Sequence, residues 1–537
     1  MTDGIGLESA YGESLARIKS QGGAKSRLGL AALMWISHSE RPLKIVELCH
    51  ALAVEIGSPN LNTDNVPSIG TLLSCCQGLV AVDKEASTVR LIHFTFQEYL
   101  RAHPEPFGPV HATIAETCLQ YLNSQQIRTL STTLSPDIEG TPFLEYSSMY
   151  WGVHAKRDFS DCAKLLALKL FNDYNNHISI RTLLGQKGYP YTIDSDKLQL
   201  FSGLHFASFF GIVEIVIGLI EVEGCDINQR DCVDNTPLMW AALNGHERIV
   251  EILLKRGDVS HDKPGLGGQT PLGCASRGGH KEVVKMLLER DDVSPEKPDN
   301  GGRTPLWRAA LNGHEGVTKI LLERDEVSPG KQDDNGRTPL SGAALNGHTG
   351  VVKILLERDE VNPDKPDNEG RTPLRRAAWN GQEGVVKLLL ERDEASPDQQ
   401  DNDGRTALWG AAFNGHKGVV KILLERDEVH PDKPNNHLQT PLCCAASNGH
   451  VKVVKILLER GEVHPHKPDN NGRTPLQFAA RNGHEGVVKL LLERDGVSTN
   501  LPHHDSRAPL WAAAWKGHLG VVKMLLEQDE DNPAKPH

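Results

Sequence analysis

The chain is long, moderately apolar and acidic. Its 537 residues allow several domains, and a hydrophobic content of 39% is too high for a disordered chain. Asp and Glu number 70 against 58 Lys and Arg, and this net charge of −12 argues against a general nucleic-acid-binding protein. The opening residues lack an apolar signal core, and the longest apolar run, 28–36, is too short to span a bilayer, so no membrane association is expected. The 10 cysteines form no C-x-x-C pair, which is typical of reduced core residues in a cytoplasmic or nuclear protein.

The first 200 residues predict helices and one hairpin, without an internal repeat. Four helices are expected first, then a hairpin, then a helix that starts near Phe94. This arrangement of helices and a hairpin predicts a winged helix. The predicted helices lie near 8–20, 26–37, 43–56 and 67–76, the strands at 79–82 and 88–93, and later helices near 109–124, 143–156 and 159–173.

Three strings in this region resemble fungal signalling NTPases of the NACHT/STAND type. They are SERPLKIVELCHALAVEIGS (39–58), VRLIHFTFQEYLRAHPE (89–105) and FLEYSSMYWGVHAKR (143–157). The resemblance implies a winged-helix domain over 1–105 and a helical linker over 106–200. The NTPase module of that family is missing, because GGAKS (22–26) has Ala24 where a P-loop needs glycine. We therefore expect no cofactor, and we expect that the chain continues a longer protein.

His93 is the one nucleotide-sensing candidate. The resemblance implies that the histidine of the HFTFQEYL string contacts a nucleotide diphosphate. The alternative is a structural histidine, which we favour because no P-loop is present to hold a nucleotide.

Two other functions of the N-terminal region, DNA binding and cysteine catalysis, are not expected. The expected recognition helix of the winged helix, 66–78, contains no Lys or Arg, so DNA binding is not expected. Cys75 and Cys76 lie in an apolar segment without a basic neighbour, which indicates core packing rather than catalysis. No other catalytic motif occurs, and we expect no enzymatic activity.

A repeat of 34 residues occupies the chain from about residue 202 onward. One unit reads GRTPLSGAALNGHTGVVKILLERDEVNPDKPDNE (336–369). Thr before Pro predicts an N-capped first helix, and the Ala pair predicts a thin face on that helix. The Asn-Gly pair predicts the end of the helix. The VVKILL segment predicts a second helix with one apolar stripe, and PDKPDNEG predicts a connecting loop. One helix pair cannot bury both faces, so neighbouring units are expected to stack as a solenoid.

The repeated residues resemble the ankyrin repeat, in the pattern TPLxxAAxxGHxxVVKxLL followed by a D-x-x-G-R loop. The resemblance implies a mostly α-helical protein whose residues 201–537 form about ten ankyrin units. The histidine of the family's TPLH motif remains only as His205. We therefore expect weaker side-chain hydrogen bonding between neighbouring TPLH loops.

The histidines of the recurrent Gly-His step have a metal-binding and a structural interpretation. They are His246, His280, His314, His348, His416, His450, His484 and His518. Stacked helices lie roughly 8–10 Å apart, whereas zinc needs ligand atoms about 2 Å from the ion. We therefore interpret these residues as structural groups at the start of the second helix, and we expect no metal site.

Two sets of residues define the candidate partner surface. The arginine ladder is the residue before each TPL triplet, and the aromatic stripe follows the Ala pair. An alternative role for the ladder is pairing with nearby aspartates such as Asp299, Asp367 or Asp469, and the two roles can coexist. The ladder comprises Arg303, Arg337, Arg371, Arg405, Arg473 and Arg507, and the stripe includes Leu345, Trp379, Phe413 and Trp515.

The sequence as a whole predicts a protein-interaction scaffold that binds a protein partner through the concave face of the array. The alternative is the sensor half of a nucleotide-switched STAND receptor, and a third possibility is a spacer without a specific ligand. The last unit (508–537) keeps the apolar residues of the internal units, whereas the terminal unit of a solenoid usually carries polar ones. We therefore expect this unit to fray or self-associate.

Overall fold

The protein is mostly helical and divides into two compact units. The computed structural model describes residues 4–130, 140–171, 177–179, 201–222, 225–392, 394–494, 497 and 508–530. The units are Met1–Leu266 and Gly267–His537. Among the described residues, no helix combines the length and the apolarity needed to cross a membrane.

The first unit begins with the helices and hairpin expected of a winged helix. The antiparallel hairpin pairs Val80 with Leu91, and Lys44 adds a bridge to Thr88. Leu33, Leu72 and Phe96 are fully buried between these elements, so the region has its own core. The helices are Gly4–Ser20, Gly23–His38, Ile45–Ala53, Ile69–Cys75 and Phe94–Ala102, with strands Val80–Asp83 and Thr88–Leu91 and 3₁₀ turns Thr63–Asn65 and Glu105–Phe107.

Further helices of the first unit connect the winged helix to the first repeats. The rings of Trp151 and Phe206 stack with centroids 5.3 Å apart and an interplanar angle of 3°. Gly152 permits this approach, since a Cβ there would meet Phe210 at 2.8 Å. The helices are Val110–Leu122, Gln125–Arg128, Leu144–Arg157 and Asp161–Phe171.

The repeats are helix pairs, and each repeat takes its name from the residue that precedes its first helix. The first unit contains the Ser202 repeat (Gly203–Phe210, Val213–Ile220) and the Thr236 repeat (Pro237–Leu243, Glu247–Leu254). In the second unit the pairs are Pro271–Gly278 and Lys281–Leu288, Pro305–Leu311 and Glu315–Leu322, Pro339–Asn346 and Thr349–Leu356, Pro373–Trp379 and Glu383–Leu390, Ala407–Asn414 and Lys417–Leu424, Pro441–Ser447 and Val451–Leu458, Pro475–Arg481 and Glu485–Leu492, and Pro509–Lys516 and Leu519–Glu530.

Local sequence explains the helix starts and the packed faces. Thr338 accepts a hydrogen bond from the backbone N–H of Ser341, so it is the predicted N-cap, and Pro339 opens the helix. Ala343 and Ala344 are fully buried, as are Val351 and Leu355 of the second helix. The threonine cap recurs in the other TPL repeats and the Ala pair in all of them except the Thr270 repeat, which has Ala275 and Ser276, so the predicted caps and thin faces are confirmed.

Seven of the Gly-His histidines connect their repeat to the one before it, and the Thr372 repeat has Gln382 in place of this histidine. His450 lies at the start of a second helix and donates its Nε2–H to the carbonyl of Phe413 at 2.9 Å. The ring lies against Gly415, where a Cβ would meet its Nδ1 at 2.6 Å. The predicted structural role is therefore confirmed. The same bond joins His246 to Phe209, His314 to Arg277, His348 to Leu311, His416 to Trp379, His484 to Ser447 and His518 to Arg481.

We predict that Gly415→Ala destabilises the array by about 1–2 kcal/mol or more. Gly415 has φ +76°, where an L-residue costs about 1–2 kcal/mol, and the new Cβ would also displace the His450 ring. The control is Gly461→Ala, because a Cβ there meets nothing within 4 Å. Urea unfolding should show a clear loss for Gly415→Ala and a change within about 0.5 kcal/mol for Gly461→Ala. Equal effects of the two substitutions would contradict the proposed His–Gly contact.

Candidate functional site

In six repeats the loop before the first helix, the finger, is built around a buried aspartate, and in the Thr440 repeat Asn435 takes its place. In the Thr372 repeat, Asp367 Oδ1 accepts the backbone N–H groups of Glu369 and Arg371, both at 2.9 Å. The carboxylate is only 1% exposed. Neighbouring fingers are joined through the backbone, since the N–H of Asn402 donates to the carbonyl of Glu369 at 2.9 Å. The finger arginines therefore project from a fixed loop.

The arginine ladder divides into two groups by its partners. Arg303, Arg371 and Arg473 pair with the aspartate of their own finger, at 3.3, 3.0 and 2.7 Å. Arg405 instead pairs with Asp403 at 2.9 Å, and the side chain of Arg337 has no ion pair among the described residues. The alternative role of pairing with finger aspartates is thus confirmed for the first group only. Arg507 lies outside the described residues.

A second set of arginines, on the first helices, was missed by sequence reasoning. Arg308 donates its Nε to Asp299 at 3.1 Å, and Arg376 hydrogen-bonds Asp367. Burial raises the pKa of both aspartates, but hydrogen bonds from these arginines and from the finger backbone outweigh it, so each pKa lies below its usual value. The signal in the sequence was Arg two residues after the TPL triplet.

The aromatic stripe is continuous with two arginines over part of its length. Trp379 stacks on Phe413 with centroids 5.4 Å apart, and Trp409 stacks on Phe413 at 5.3 Å. Arg375 lies 4.8 Å from the centroid of Trp379, and Arg405 lies 5.1 Å from that of Trp409. These contacts form one cation–aromatic stack that spans two repeats.

Trp515 lies apart from this stack. It stacks with Trp511 at 5.3 Å and is 72% exposed, and the neighbouring Leu519 is 74% exposed. An exposed apolar patch of this kind is typical of an interaction surface. Self-association through the last repeat stays a prediction, and residues 531–537 lie outside the described residues.

One groove brings four of the predicted site residues together. It has a volume of about 510 Å³ and is lined by Leu345, Arg371, Trp379 and Arg405, with Arg375 beside them. Arg303, Arg337, Arg473, Phe413 and Trp515 do not line it. Four of the predicted residues therefore share one groove along the Thr338, Thr372 and Thr406 repeats, and the partner-binding role of the whole set stays a prediction.

The missing TPLH histidines are partly replaced by other donors. His205 donates its Nε2–H to the carbonyl of Gln229 in the next finger at 2.9 Å. At the equivalent position, Trp409 donates its Nε1–H to the carbonyl of Gln439 at 3.1 Å. Arg375 likewise reaches Asp401 at 3.3 Å. In the Thr372 and Thr406 repeats a different side chain therefore donates the hydrogen bond to the next finger, and this bond is longer than that of His205.

The N-terminal candidates have structural roles. His93 is the N-cap of the helix Phe94–Ala102, and its Nδ1 lies 2.7 Å from Thr95 Oγ1. It also lines an open groove with Arg41, Arg90 and Arg101. Cys76 is fully buried, and burial raises the pKa of its thiol to about 12, which is typical of an unreactive core cysteine.

The helix pairs, most of them capped by threonine and joined by aspartate-centred fingers, define a repeat protein. The chain belongs to the ankyrin-repeat family. The family model "Ankyrin repeats (3 copies)" matches residues 154–263, 204–299, 258–331, 325–401, 393–467 and 461–535. The model "GPI inositol-deacylase, winged helix domain" matches residues 17–105. No curated protein matches the chain.

We predict that Arg308→Met destabilises the second unit by about 2–3 kcal/mol at pH 7, because it removes a charged hydrogen-bond partner from the buried Asp299. Lys285→Met, which breaks an exposed pair with Glu282, should cost at most about 1 kcal/mol. Urea unfolding measures both.

The Arg308 effect should also depend on pH in a defined direction. A carboxyl whose folded pKa is depressed stabilises the fold above its unfolded pKa, near 3.9, and loses that contribution as the pH falls toward the folded pKa. The difference in the free energy of unfolding between wild type and Arg308→Met should therefore become smaller as the pH falls from 7 to 3. A gap that stays constant would show that Arg308 acts through packing rather than through the charge of Asp299.

Proposed function

We propose that this protein is an interaction scaffold whose ankyrin array binds a protein partner through its concave face, formed by the fingers and first helices. Ankyrin repeats are generally protein–protein interaction modules. The observation that carries the proposal is the groove in which Leu345, Trp379, Arg371 and Arg405 lie together. An apolar centre with aromatic and arginine side chains and a polar rim is the usual composition of an interface core. An interaction scaffold needs no catalytic group, and we propose none.

The partner carries an acidic surface. The ladder side chains are partly exposed, with Arg303, Arg405 and Arg473 at 38, 32 and 28%. The rest of the chain is acidic, so a row of guanidinium groups is a distinct electrostatic feature that steers an acidic partner. Free thiols at all ten cysteines support a cytoplasmic location, with the nucleus as the other reducing compartment.

We predict that Arg337→Glu/Arg405→Glu weakens partner capture while the array stays folded. Neither side chain pairs with a buried finger aspartate, so the structural loss should be about 1 kcal/mol or less. Association with the partner should slow and become less salt-dependent. Trp379→Ala should instead speed dissociation, since loss of a central aromatic contact costs about 2 kcal/mol or more.

The matched control reverses the same charge in the same repeats but on the second helices. Lys353→Glu/Lys421→Glu changes two exposed lysines of the Thr338 and Thr406 repeats. Partners captured by the full chain should be lost with the ladder variant and kept with the control, while thermal unfolding stays similar. Partners that survive both variants place the binding face elsewhere, and an array that captures no specific partner is a spacer.

A second candidate function is the regulatory half of a nucleotide-switched receptor of the fungal NACHT/STAND type. The winged-helix match over 17–105 and the strings at 39–58 and 89–105 support it. In that case the nucleotide-binding module comes from outside these 537 residues, and the winged helix relays its state to the array.

We predict that the chain alone binds neither ADP nor ATP more tightly than about 100 μM, a free energy of about 5.5 kcal/mol. No P-loop is present, and His93 is engaged in capping a helix. Calorimetric titration with Mg²⁺ is the measurement. Tighter binding that is lost in His93→Asn, which keeps an N-capping side chain, would show that His93 holds nucleotide.

A further inference from the structure

Arg375 is a charged residue at a position that is otherwise uncharged. In the other threonine-capped repeats this position holds Met239, Gly273, Trp307, Ser341, Trp409, Cys443 and Gln477. Arg375 is 3% exposed. Burying a charge is costly unless strong partners surround it, so a buried arginine at this position of the array needs a physical reason.

The chain itself compensates this charge only in part. The single side-chain hydrogen bond of Arg375 among the described residues joins Nη2 to Asp401 Oδ2 at 3.3 Å, and its Nε has no partner. Burial lowers the pKa of Arg375 to about 10, and repulsion from Arg405 and Arg371 adds to this against the attraction of Asp401. The neighbouring Arg376 instead hydrogen-bonds Asp367, which is 1% exposed. Arg375 is therefore held in place with hydrogen-bonding capacity left over.

The arginines at the rim of the groove can exchange the carboxylates they now pair with for carboxylates of a partner. Arg371 and Arg405 are 27 and 32% exposed. Besides the finger contacts, they pair with Glu369 and Asp403, fingertip residues whose side chains are 64 and 61% exposed. Exposed pairs contribute about 0–1 kcal/mol each, so a better-placed acceptor displaces them readily. Leu345 and Trp379 supply apolar wall beside these cations.

We propose that this groove binds an acidic segment of the protein partner, with one carboxylate on Arg375 and Arg405 and an adjacent apolar side chain against Leu345 and Trp379. The inference rests on the proposed function and names the chemistry of its ligand. A polyanion such as a nucleic acid fits less well, because Glu369 and Asp403 stand at the rim and the chain carries a net charge of −12. A single carboxylate beside an apolar group matches both the arginines and the apolar wall of the groove.

The probe is a fluorescent hexapeptide of alternating glutamate and leucine, titrated into the full chain at low salt and followed by anisotropy. We expect saturable binding, and about tenfold or more weaker binding of the same peptide with glutamine in place of glutamate. Arg375→Met should cause a comparable loss. The melting temperature should fall, because Asp401, which is 4% exposed, loses the arginine it pairs with, but the array should stay folded, since methionine fills the equivalent position of the Thr236 repeat. Gln477→Met, at the same position of another repeat, is the matched control and should leave binding unchanged.

Several results would overturn the inference. If Arg375→Met lowers the melting temperature but leaves binding of the glutamate–leucine peptide unchanged, then Arg375 is a structural ion-pair residue. Equal binding of the glutamine peptide shows an apolar groove only, and tighter binding of a phosphopeptide or an oligonucleotide shows a different ligand class. If partner capture is lost in the ladder variant but the glutamate–leucine peptide does not bind, the ligand assigned to this groove is wrong and the proposed function stands. If the peptide binds while the partners ignore the ladder, the groove stands and the proposed function fails.

Discussion

The hydrogen bond from a histidine to the backbone of the preceding repeat is the interaction on which the array depends. His450 reaches back 37 residues to the carbonyl of Phe413, and Asn448 donates to the same oxygen at 3.0 Å. The carbonyl of Trp379 is held in the same way by His416 and Asn414. Each bond is worth about 1 kcal/mol, but it recurs between neighbours, and stability in a repeat protein is a sum of such interfaces. Because the bonded residues are those of the aromatic stripe, one contact fixes both the packing of the repeats and the spacing of the candidate binding residues.

The finger aspartate imposes a second constraint, which divides the arginines between structure and recognition. Asp367 uses one oxygen to hold the finger backbone and the other to accept from Arg371 and Arg376. An arginine that is bonded to a buried carboxylate is held at the finger, so only its remaining N–H groups can meet a partner. Among the described residues, the ion pair of Arg405 is with the exposed Asp403, so its guanidinium group, which also lies over Trp409, can exchange this carboxylate at little cost. The ladder therefore looks uniform in sequence but contains residues with different roles.

The sequence predicts the parts of this structure that depend on residues close together along the chain. The threonine caps, the Ala faces, the apolar stripes and the N-terminal hairpin all follow from patterns within a few residues, and the structure contains them. The partners that define the site are separated by 26–37 residues, as in Arg375 with Asp401 and His416 with Trp379. Such contacts depend on how two repeats stack, and the 34-residue period alone does not fix which side chains meet. For this reason sequence reasoning found Arg371 and Trp379 but missed Arg375 and Arg376 beneath them.

The cation–aromatic stack changes how Trp379 contributes to recognition. As an isolated side chain, it would lose rotamer freedom when a partner bound, at a cost of about 0.5–1.5 kcal/mol. Its ring is already held by Phe413 at 5.4 Å and by Arg375 at 4.8 Å, so most of that cost is met when the array folds. The same contacts occupy ring faces that would otherwise be open, so a partner meets the remaining edge of a rigid surface rather than a flexible anchor. Affinity at this site then comes from preorganisation, and a substitution in the stack acts on binding even where the substituted residue does not touch the partner.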